Sequence, residues 1–209
     1  MMTRQSLNMA LMVAGVVVLA TVIGVLATMH QRDKTEPAIP GLLWPNPKSL
    51  TAFAAVDQNN NPFTLTDLEG KWSFLFFGFT HCPDICPVTL AVMDKVHRQL
   101  EQAENVQTVF VSVDPERDTP ARLDQYVTSF NPSFIGLGGS AEQIANLTGQ
   151  IGLPYFLDKT ESEENYLVDH GASLFLVDPR GRLVAIFSRP HDNRSITDRF
   201  NRVRRLIDG

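Results

Sequence analysis

Two cysteines carry the most reactive chemistry that this sequence offers. Cys82 and Cys86 are the only thiols in 209 residues, and they lie in the run T-H-C-P-D-I-C-P-V-T-L. Side chains four residues apart share one face of a helix, so the two sulfurs can bind one soft metal ion or close a small disulfide. The spacing differs from the C-x-x-C of a thioredoxin redox motif. We therefore interpret the pair as reactive or metal-binding, and two cysteines do not make a disulfide scaffold.

A metal site at the cysteines would need at least one further ligand. Of the five histidines in the sequence, His170 lies in V-D-H-G-A, just before a predicted strand. From position alone it is either a ligand or a loop histidine bonded to Asp169 or to the backbone. Two thiolates and one imidazole suit Cu(I) and can also hold Cu(II). Structural zinc would want a fourth ligand, which the sequence does not show.

Three carboxylates lie close to the cysteines or to the end of a predicted strand. Asp84 stands between Cys82 and Cys86, where it can raise the pKa of the thiols or bond backbone N–H groups. Asp114 and Asp118 follow a strand predicted at 106–113, which would bring them near the cysteine loop. One interpretation is a turn in which Asp118 or Thr119 caps the next helix. The other is contact with a partner or tuning of the site.

The cysteines lie where a predicted strand turns into a predicted helix. The apolar run 72–79 is short and rich in Phe, as a buried central strand would be. The segment after Cys86 has apolar residues at helical spacing up to Leu100. N–H groups at a helix N-terminus stabilise a thiolate and lower its pKa.

The other predicted elements alternate between strand and helix. Strands are predicted at 50–56, 62–65, 106–113, 134–137, 172–177 and 183–188, and helices begin after Thr119-Pro120, at the Ser140/Gln143 capping box and at Ser195. A polar, acidic stretch at 158–169 separates the helix that begins at Ser140 from the last two strands. The order predicts an α/β fold with a central mixed sheet flanked by helices on both faces.

The N-terminal segment predicts a membrane anchor. Residues 9–29 carry no charge, and about 20 apolar residues span a hydrocarbon core. A cleaved signal peptide is the rival interpretation, but its apolar region is usually shorter and ends in a small-x-small site. The predicted organisation is a tail at 1–8, an anchor at 9–29, a Pro-rich linker at 30–49 and one domain at 50–209. The net charge of −5 argues against nucleic acid as a main partner.

Three sequence blocks together resemble the SCO/SenC family of membrane-anchored, copper-binding proteins that assist cytochrome c oxidase assembly. They are T-H-C-P-D-I-C-P-V-T-L, V-S-V-D-P-E-R-D-T-P and V-D-H-G-A-S-L-F-L-V-D-P-R-G, in family order. The resemblance implies a thioredoxin-like fold with Cys82, Cys86 and His170 as copper ligands. Asp169-His170-Gly171 would then occupy the place of the thioredoxin cis-proline loop. Asp114 and Asp118 belong to the D-x-x-x-D block of the family.

The resemblance also implies a function and a location. It implies a copper chaperone for the dinuclear copper site of cytochrome c oxidase subunit two, with another copper chaperone or a thioredoxin-like reductant as a further partner. The domain would face the periplasm from the bacterial cytoplasmic membrane, and oxidation to a Cys82–Cys86 disulfide would release the metal. The alternative is a thiol-disulfide oxidoreductase, which would use the same cysteines but would not need His170. A third interpretation, peroxide sensing or reduction, would want one exposed cysteine of low pKa with a resolving partner.

Overall fold

Helix α1 (Arg4–Arg32) contains the apolar N-terminal run. The computed structural model describes residues 4–32, 39–43, 45–100, 105–158 and 167–208. Side chains of α1 are described at residues 12–26, and they are exposed. Within the described part of the chain, none of the helices combines the length and the apolar character that crossing a bilayer requires. The anchor at 9–29 therefore stays a prediction.

The second compact unit, Ile39–Gly209, contains ten strands and four α-helices within its described residues. The strands are β1 (Lys48–Ser49), β2 (Ala54–Asp57), β3 (Pro62–Thr64), β4 (Trp72–Gly78), β5 (Val106–Ser112), β6 (Ile135–Gly138), β7 (Tyr155–Asp158), β8 (Leu167–His170), β9 (Leu174–Val177) and β10 (Arg182–Phe187). The helices are α2 (Ile85–Leu100), α3 (Pro120–Thr128), α4 (Ala141–Ile151) and α5 (Asn193–Asp208), and a 3-10 turn covers Leu65–Asp67.

Eight strands form one sheet in the order β1-β10-β9-β4-β5-β6-β2-β3. Strands β4, β5 and β6 are parallel to one another, and the remaining neighbours pair antiparallel. The predicted mixed sheet is thus confirmed. Because β4 lies between β5 and β9, every residue from Trp72 to Gly78 is buried. A nearly continuous apolar run, interrupted here by Ser73, is typical of a central strand that is covered on both faces.

Alternate side chains of β4 enter two separate cores. Leu75 and Phe77 pack in the core that contains the buried side of α4. Phe74 and Phe76 pack in the opposite core, with α2, α3 and α5. The period of two that sends neighbouring side chains to opposite faces explains this division. Helices therefore cover both faces of the sheet, as the sequence predicted.

Two helix starts agree with the residue types that begin them. The Thr119 side chain accepts a hydrogen bond from the Arg122 N–H at the start of α3, and Pro120 is the first helical residue. Ser140 and Gln143 form a reciprocal capping box at the start of α4. Both caps satisfy N–H groups that a helix leaves without partners.

Two structural features lie in segments where no strand was predicted. Strand β1 pairs with β10, and Leu42 forms a bridge with Ala185, so the C-terminal part of the predicted linker at 30–49 joins the sheet. Strands β7 and β8 form a two-stranded antiparallel sheet around the acidic stretch. Residues 159–166 of that stretch lie outside the described residues. Neither feature has a local apolar alternation that would have revealed it.

Candidate metal centre

The cysteines lie on the turn between β4 and the first turn of α2. Cys82 is partly exposed, Cys86 is buried, and both are free thiols. The Cys86 N–H donates a hydrogen bond to the Cys82 sulfur at 3.4 Å. The two sulfurs therefore lie next to each other at the helix start, and their role in one metal site stays a prediction.

The two sulfurs have opposite protonation preferences. A hydrogen bond from the Cys86 side chain is the main cause that lowers the pKa of Cys82 to about 5. Backbone N–H groups of Cys86, Asp84 and Ile85 lower this pKa further, and partial burial opposes them. The pKa of Cys86 is raised, first by its hydrogen bond to Cys82 and then by burial. We infer that Cys82 ionises first, mainly because the Cys86 thiol donates to its sulfur, and the N–H groups of the helix start add to this effect.

Gly78, the last residue of β4, makes room for the buried sulfur. A Cβ atom at this position would lie 2.7 Å from the Cys86 Sγ and 2.7 Å from Cε2 of Phe110. Both distances are far inside van der Waals contact. The absence of a side chain at Gly78 is therefore a condition for the position of Cys86. In the sequence, this contact is indicated by a glycine at the end of a strand of bulky residues, because such a glycine often marks a place where another group approaches the backbone closely.

Asp118 attaches the cysteine turn to the strand ends. Its buried carboxylate accepts hydrogen bonds from the Thr80 N–H at 2.9 Å and the Thr80 hydroxyl at 2.6 Å. It also accepts one from the Ser112 hydroxyl at 2.6 Å. Arg122 donates to the Thr80 hydroxyl at 2.9 Å. Thr80, which sequence reasoning missed, thus connects Asp118 to the turn two residues before Cys82.

The other two predicted carboxylates have different environments. Asp114 is buried, and its carboxylate accepts a hydrogen bond from Arg117 Nε at 2.5 Å. Asp84 is exposed on the turn. His81 Nδ1 lies 3.8 Å from the Asp118 carboxylate. The ligand-type atoms of His81, Asp114 and Asp118 lie within 4.8 Å of one another, but Arg117 and the Thr80 and Ser112 donors already contact these carboxylates.

His170 is the last residue of strand β8. It pairs with Tyr155 of β7, and β8 lies against β4, the strand that leads to the cysteines. The His170 side chain lies outside the described residues, so its role as a ligand stays a prediction. A Cβ at Gly171 would lie 2.8 Å from Leu153 Cδ1.

A family model decides to which group of proteins this site belongs. The model described as SCO1/SenC matches residues 45–205, which contain both cysteines, the Asp114–Asp118 block and His170. The chain belongs to the SCO1/SenC family. The resemblance seen in the three sequence blocks is thereby confirmed.

Two protein relatives show the extent of the similarity. A Stutzerimonas stutzeri protein whose name describes copper binding is 45% identical over 144 residues, which are 68% of this chain and 70% of that protein. A Bos taurus protein named as a mitochondrial SCO2 homolog is 40% identical over 153 residues, which are 72% of this chain. The match spans 58% of the bovine protein, so the chain covers somewhat more than half of that relative's length.

Solved structures share the fold. Arabidopsis thaliana ScoI, crystallised with copper bound, is 35% identical with a TM-score of 0.69, and the match covers 76% of this chain and 98% of that one. BsSco is described as a Sco-family cytochrome c oxidase assembly protein with a disulfide switch. It has a TM-score of 0.61 at 22% identity, over 78% of this chain and 96% of that one, which shows the shared fold alone.

Proposed function

We propose that this protein binds copper through Cys82, Cys86 and His170. One observation carries the proposal: the two cysteine thiols lie next to each other at a helix N-terminus, directly after strand β4. Strand β8, which ends at His170, lies against β4. Copper ligands must be deprotonated, and the lowered pKa of Cys82 provides a thiolate at neutral pH. Thiolates and an imidazole are the donors that Cu(I) prefers, and Cu(II) accepts them as well.

Copper binding is tested by metal loading of the reduced full chain and of single variants. We expect the wild-type protein to retain copper, and Cys82→Ser, Cys86→Ser and His170→Ala each to lose most of it. His81→Ala is the matched control, because this imidazole adjoins Cys82 but lies on the exposed side of the turn. Retention of copper by His170→Ala together with loss in His81→Ala would contradict the assignment.

The same variants separate copper binding from thiol-disulfide exchange. A reductase would use Cys82 and Cys86 but would have no need of His170. We expect His170→Ala to leave reduction of a model disulfide unchanged while copper retention falls. A wild-type protein that reduces disulfides rapidly and never retains copper would rule out the copper proposal.

We further propose that the bound copper is cargo for the dinuclear copper site of cytochrome c oxidase subunit two. The support is membership of the SCO1/SenC family, which the three sequence blocks relate to cytochrome c oxidase assembly. In ligand exchange an incoming thiolate would bond to the copper and displace a thiolate of this chain, and the partly exposed Cys82 is the more accessible of the two for displacement. In the test, the copper-loaded chain is mixed with the copper-free domain of the oxidase subunit, and the absorption of the dinuclear copper site is followed. We expect this absorption to appear with the wild-type protein and not with Cys82→Ser.

For location, we propose a single-pass anchor at 9–29 in a bacterial cytoplasmic membrane, with the copper domain on the periplasmic side. The uncharged apolar run and the implied disulfide-permissive chemistry support this placement. Alkaline extraction of membranes should leave the chain in the pellet. Protease added to spheroplasts should remove the domain, and protection of the domain would contradict the orientation.

A further inference from the structure

A groove beside the cysteine turn has one charged side chain in its lining. It has a volume of about 370 Å³ and lies between the end of the cysteine turn and helix α3, with a lining of Thr80, Arg122, Gln125, Tyr126 and Ser129. The four neutral side chains all carry groups that donate or accept hydrogen bonds. A single guanidinium among neutral polar groups suits one carboxylate and the polar backbone next to it.

The guanidinium group of Arg122 is held in place on its inner side. Its Nε donates to the Thr80 hydroxyl at 2.9 Å, and that hydroxyl donates to the buried Asp118 carboxylate at 2.6 Å. The Arg122 side chain is nevertheless exposed, and its two terminal nitrogens have no partner among the residues that the structure describes. The planar fork is therefore oriented in advance while its outer N–H groups stay open to a carboxylate.

The groove adjoins the cysteine pair. Thr80 in its lining is two residues before Cys82, and Cys82 is the partly exposed sulfur of the pair. Tyr126, on the α3 side of the groove, packs against the same apolar cluster as Cys82, and that cluster contains the buried Cys86. A partner that reaches the Cys82 sulfur therefore passes close to this lining.

The charge of Arg122 extends to the cysteine turn. Burial is the main cause that lowers the pKa of His81, the residue before Cys82, and the charge of Arg122 is the next cause. The Asp118 carboxylate is buried and already hydrogen-bonded, so it is not available at the surface. The exposed carboxylate of Asp84 on the turn would repel an anion. An acidic group that approaches here is therefore attracted by Arg122.

We propose that this groove docks a carboxylate side chain of the protein that exchanges ligands or thiols with Cys82, and that Arg122 thereby selects acidic partners. The inference rests on the proposed role of Cys82 as the sulfur open to a partner, and it needs no bound metal. The partner's carboxylate accepts the outer N–H groups of Arg122, and Gln125 and Ser129 offer polar contacts to the chain beside it. Charge complementarity of this kind acts mainly on the rate of encounter.

The test measures thiol–disulfide exchange of the reduced, metal-free full chain in nonionic detergent at one pH. Three model peptides each carry one cysteine blocked as a disulfide with pyridine-2-thiol, and they differ only in flanking residues, which are Glu, Gln or Lys. The Cys82 thiolate attacks the peptide sulfur, a Cys82–peptide disulfide forms and pyridine-2-thione leaves. Cys86 then loses its proton to solvent, displaces the peptide thiolate and closes the Cys82–Cys86 disulfide. The absorption of the thione gives the rate.

We expect the wild type to react about two- to fivefold faster with the acidic peptide than with the neutral one, the scale of one exposed ion pair. This ratio should shrink as salt is added. Arg122→Gln should bring the ratio to about one, and Arg122→Glu should favour the Lys peptide. Because the ratio is taken within each variant, a change in the reactivity of Cys82 itself cancels.

Arg205→Gln is the matched control. It removes an exposed arginine of α5, a helix that packs through Phe200 on Trp72 at the start of β4, the end of the strand away from the cysteines. We expect this variant to keep the wild-type ratio. An equal loss of the ratio in Arg205→Gln would show a general effect of net charge and would overturn the groove.

Two further results would overturn the proposal. One is a wild type that does not distinguish the peptides or reacts with none of them, and the other is an unchanged ratio in Arg122→Gln. Copper retention is measured separately and decides the metal site. A chain that retains copper without preferring the acidic peptide would lose the docking groove and keep the copper site. A chain that prefers the acidic peptide and retains no copper would lose the copper site and keep the groove.

Discussion

Residue by residue, the two cysteines occupy unlike environments although they are four positions apart. Cys82 is partly exposed and receives N–H groups of the helix start, whereas Cys86 is buried against Gly78 and Phe110. A partly exposed thiolate is suited to ligand or disulfide exchange with a partner, and a buried cysteine is suited to holding a metal ion in a fixed place. In the proposed copper site, Cys82 would then be the sulfur open to a partner and Cys86 the one that anchors the metal.

This difference predicts selective alkylation of the reduced, metal-free chain. The thiolate is the reactive form, so labelling of Cys82 by iodoacetamide should rise through pH about 5 instead of near 9.0, the ordinary value. Cys86 has a raised pKa and should stay unlabelled at pH 6.5 until the protein is unfolded. Peptide mass spectrometry across a pH series measures both sites. Equal labelling of the two cysteines in the folded chain would contradict the assignment of Cys82 as the thiolate.

Gly78→Ala should damage the site through its geometry. The added methyl group would meet the Cys86 sulfur and the Phe110 ring, and overpacking of this kind costs about 1–3 kcal/mol. We expect lower unfolding free energy in urea and weaker copper retention. Gly149→Ala is the control, because nothing lies within 4 Å of its added carbon in α4 and helix propensity should raise stability by about 0.5–1 kcal/mol. Similar effects of the two substitutions would show that Gly78 has no special role.

At the scale of elements, the site lies where three of them end or begin. Strand β4 ends before the cysteine turn, β5 ends at Ser112, and α3 begins just after Asp118. The Asp118 carboxylate bonds groups from the first two of these ends. In an open α/β sheet, the carboxyl ends of parallel strands form the usual place for a functional site. Asp118 therefore connects the ends of β4 and β5 at that edge of the sheet, and this role is separate from contact with a partner.

Asp118→Ala should therefore loosen the cysteine turn. It leaves the buried Ser112 hydroxyl and the partly buried N–H and hydroxyl of Thr80 without their acceptor, and an unsatisfied buried group costs about 1–3 kcal/mol. We expect a clear loss of unfolding free energy and faster hydrogen exchange of the Thr80 amide. Asp124→Ala on the exposed side of α3 should have almost no effect on either measurement. Unchanged exchange at Thr80 would mean that the turn is held in another way.

At the scale of the whole domain, residues 39–43 and 45–49 close the outer edge of β10. The Leu43 N–H donates to the Val184 carbonyl at 2.8 Å, and the Ile186 N–H donates to the Gly41 carbonyl at 2.9 Å. Arg199 donates from α5 to the Pro40 carbonyl. An open strand edge invites pairing with other chains, so this cover protects the sheet.

Two fragments test where the folded domain begins. A fragment of residues 39–209 should fold cooperatively with all these contacts intact. A fragment of residues 50–209 should be less stable by about 2–4 kcal/mol, from the lost hydrogen bonds and apolar contacts of the edge. It should also aggregate, which light scattering detects alongside the urea titration. Equal stability of the two fragments would place the boundary at residue 50 instead.

The sequence by itself determined the features that depend on near neighbours. The apolar run of β4, the Thr119-Pro120 and Ser140/Gln143 helix starts and the Cys82/Cys86 pair at a strand–helix turn were all predictable. Each follows from residues within a few positions of one another, where propensity and capping act. The family blocks added His170, which local pattern alone left open.

Only the tertiary structure decided the features that depend on residues far apart in the chain. Asp118 meets Thr80 across 38 positions, and the Cys86 sulfur finds its space through Gly78 and Phe110. Strand β1 exists because β10 offers an edge, and its own two residues carry no strand signal. Such contacts form when the sheet brings distant segments together, and a linear pattern of side chains does not encode which of them will meet.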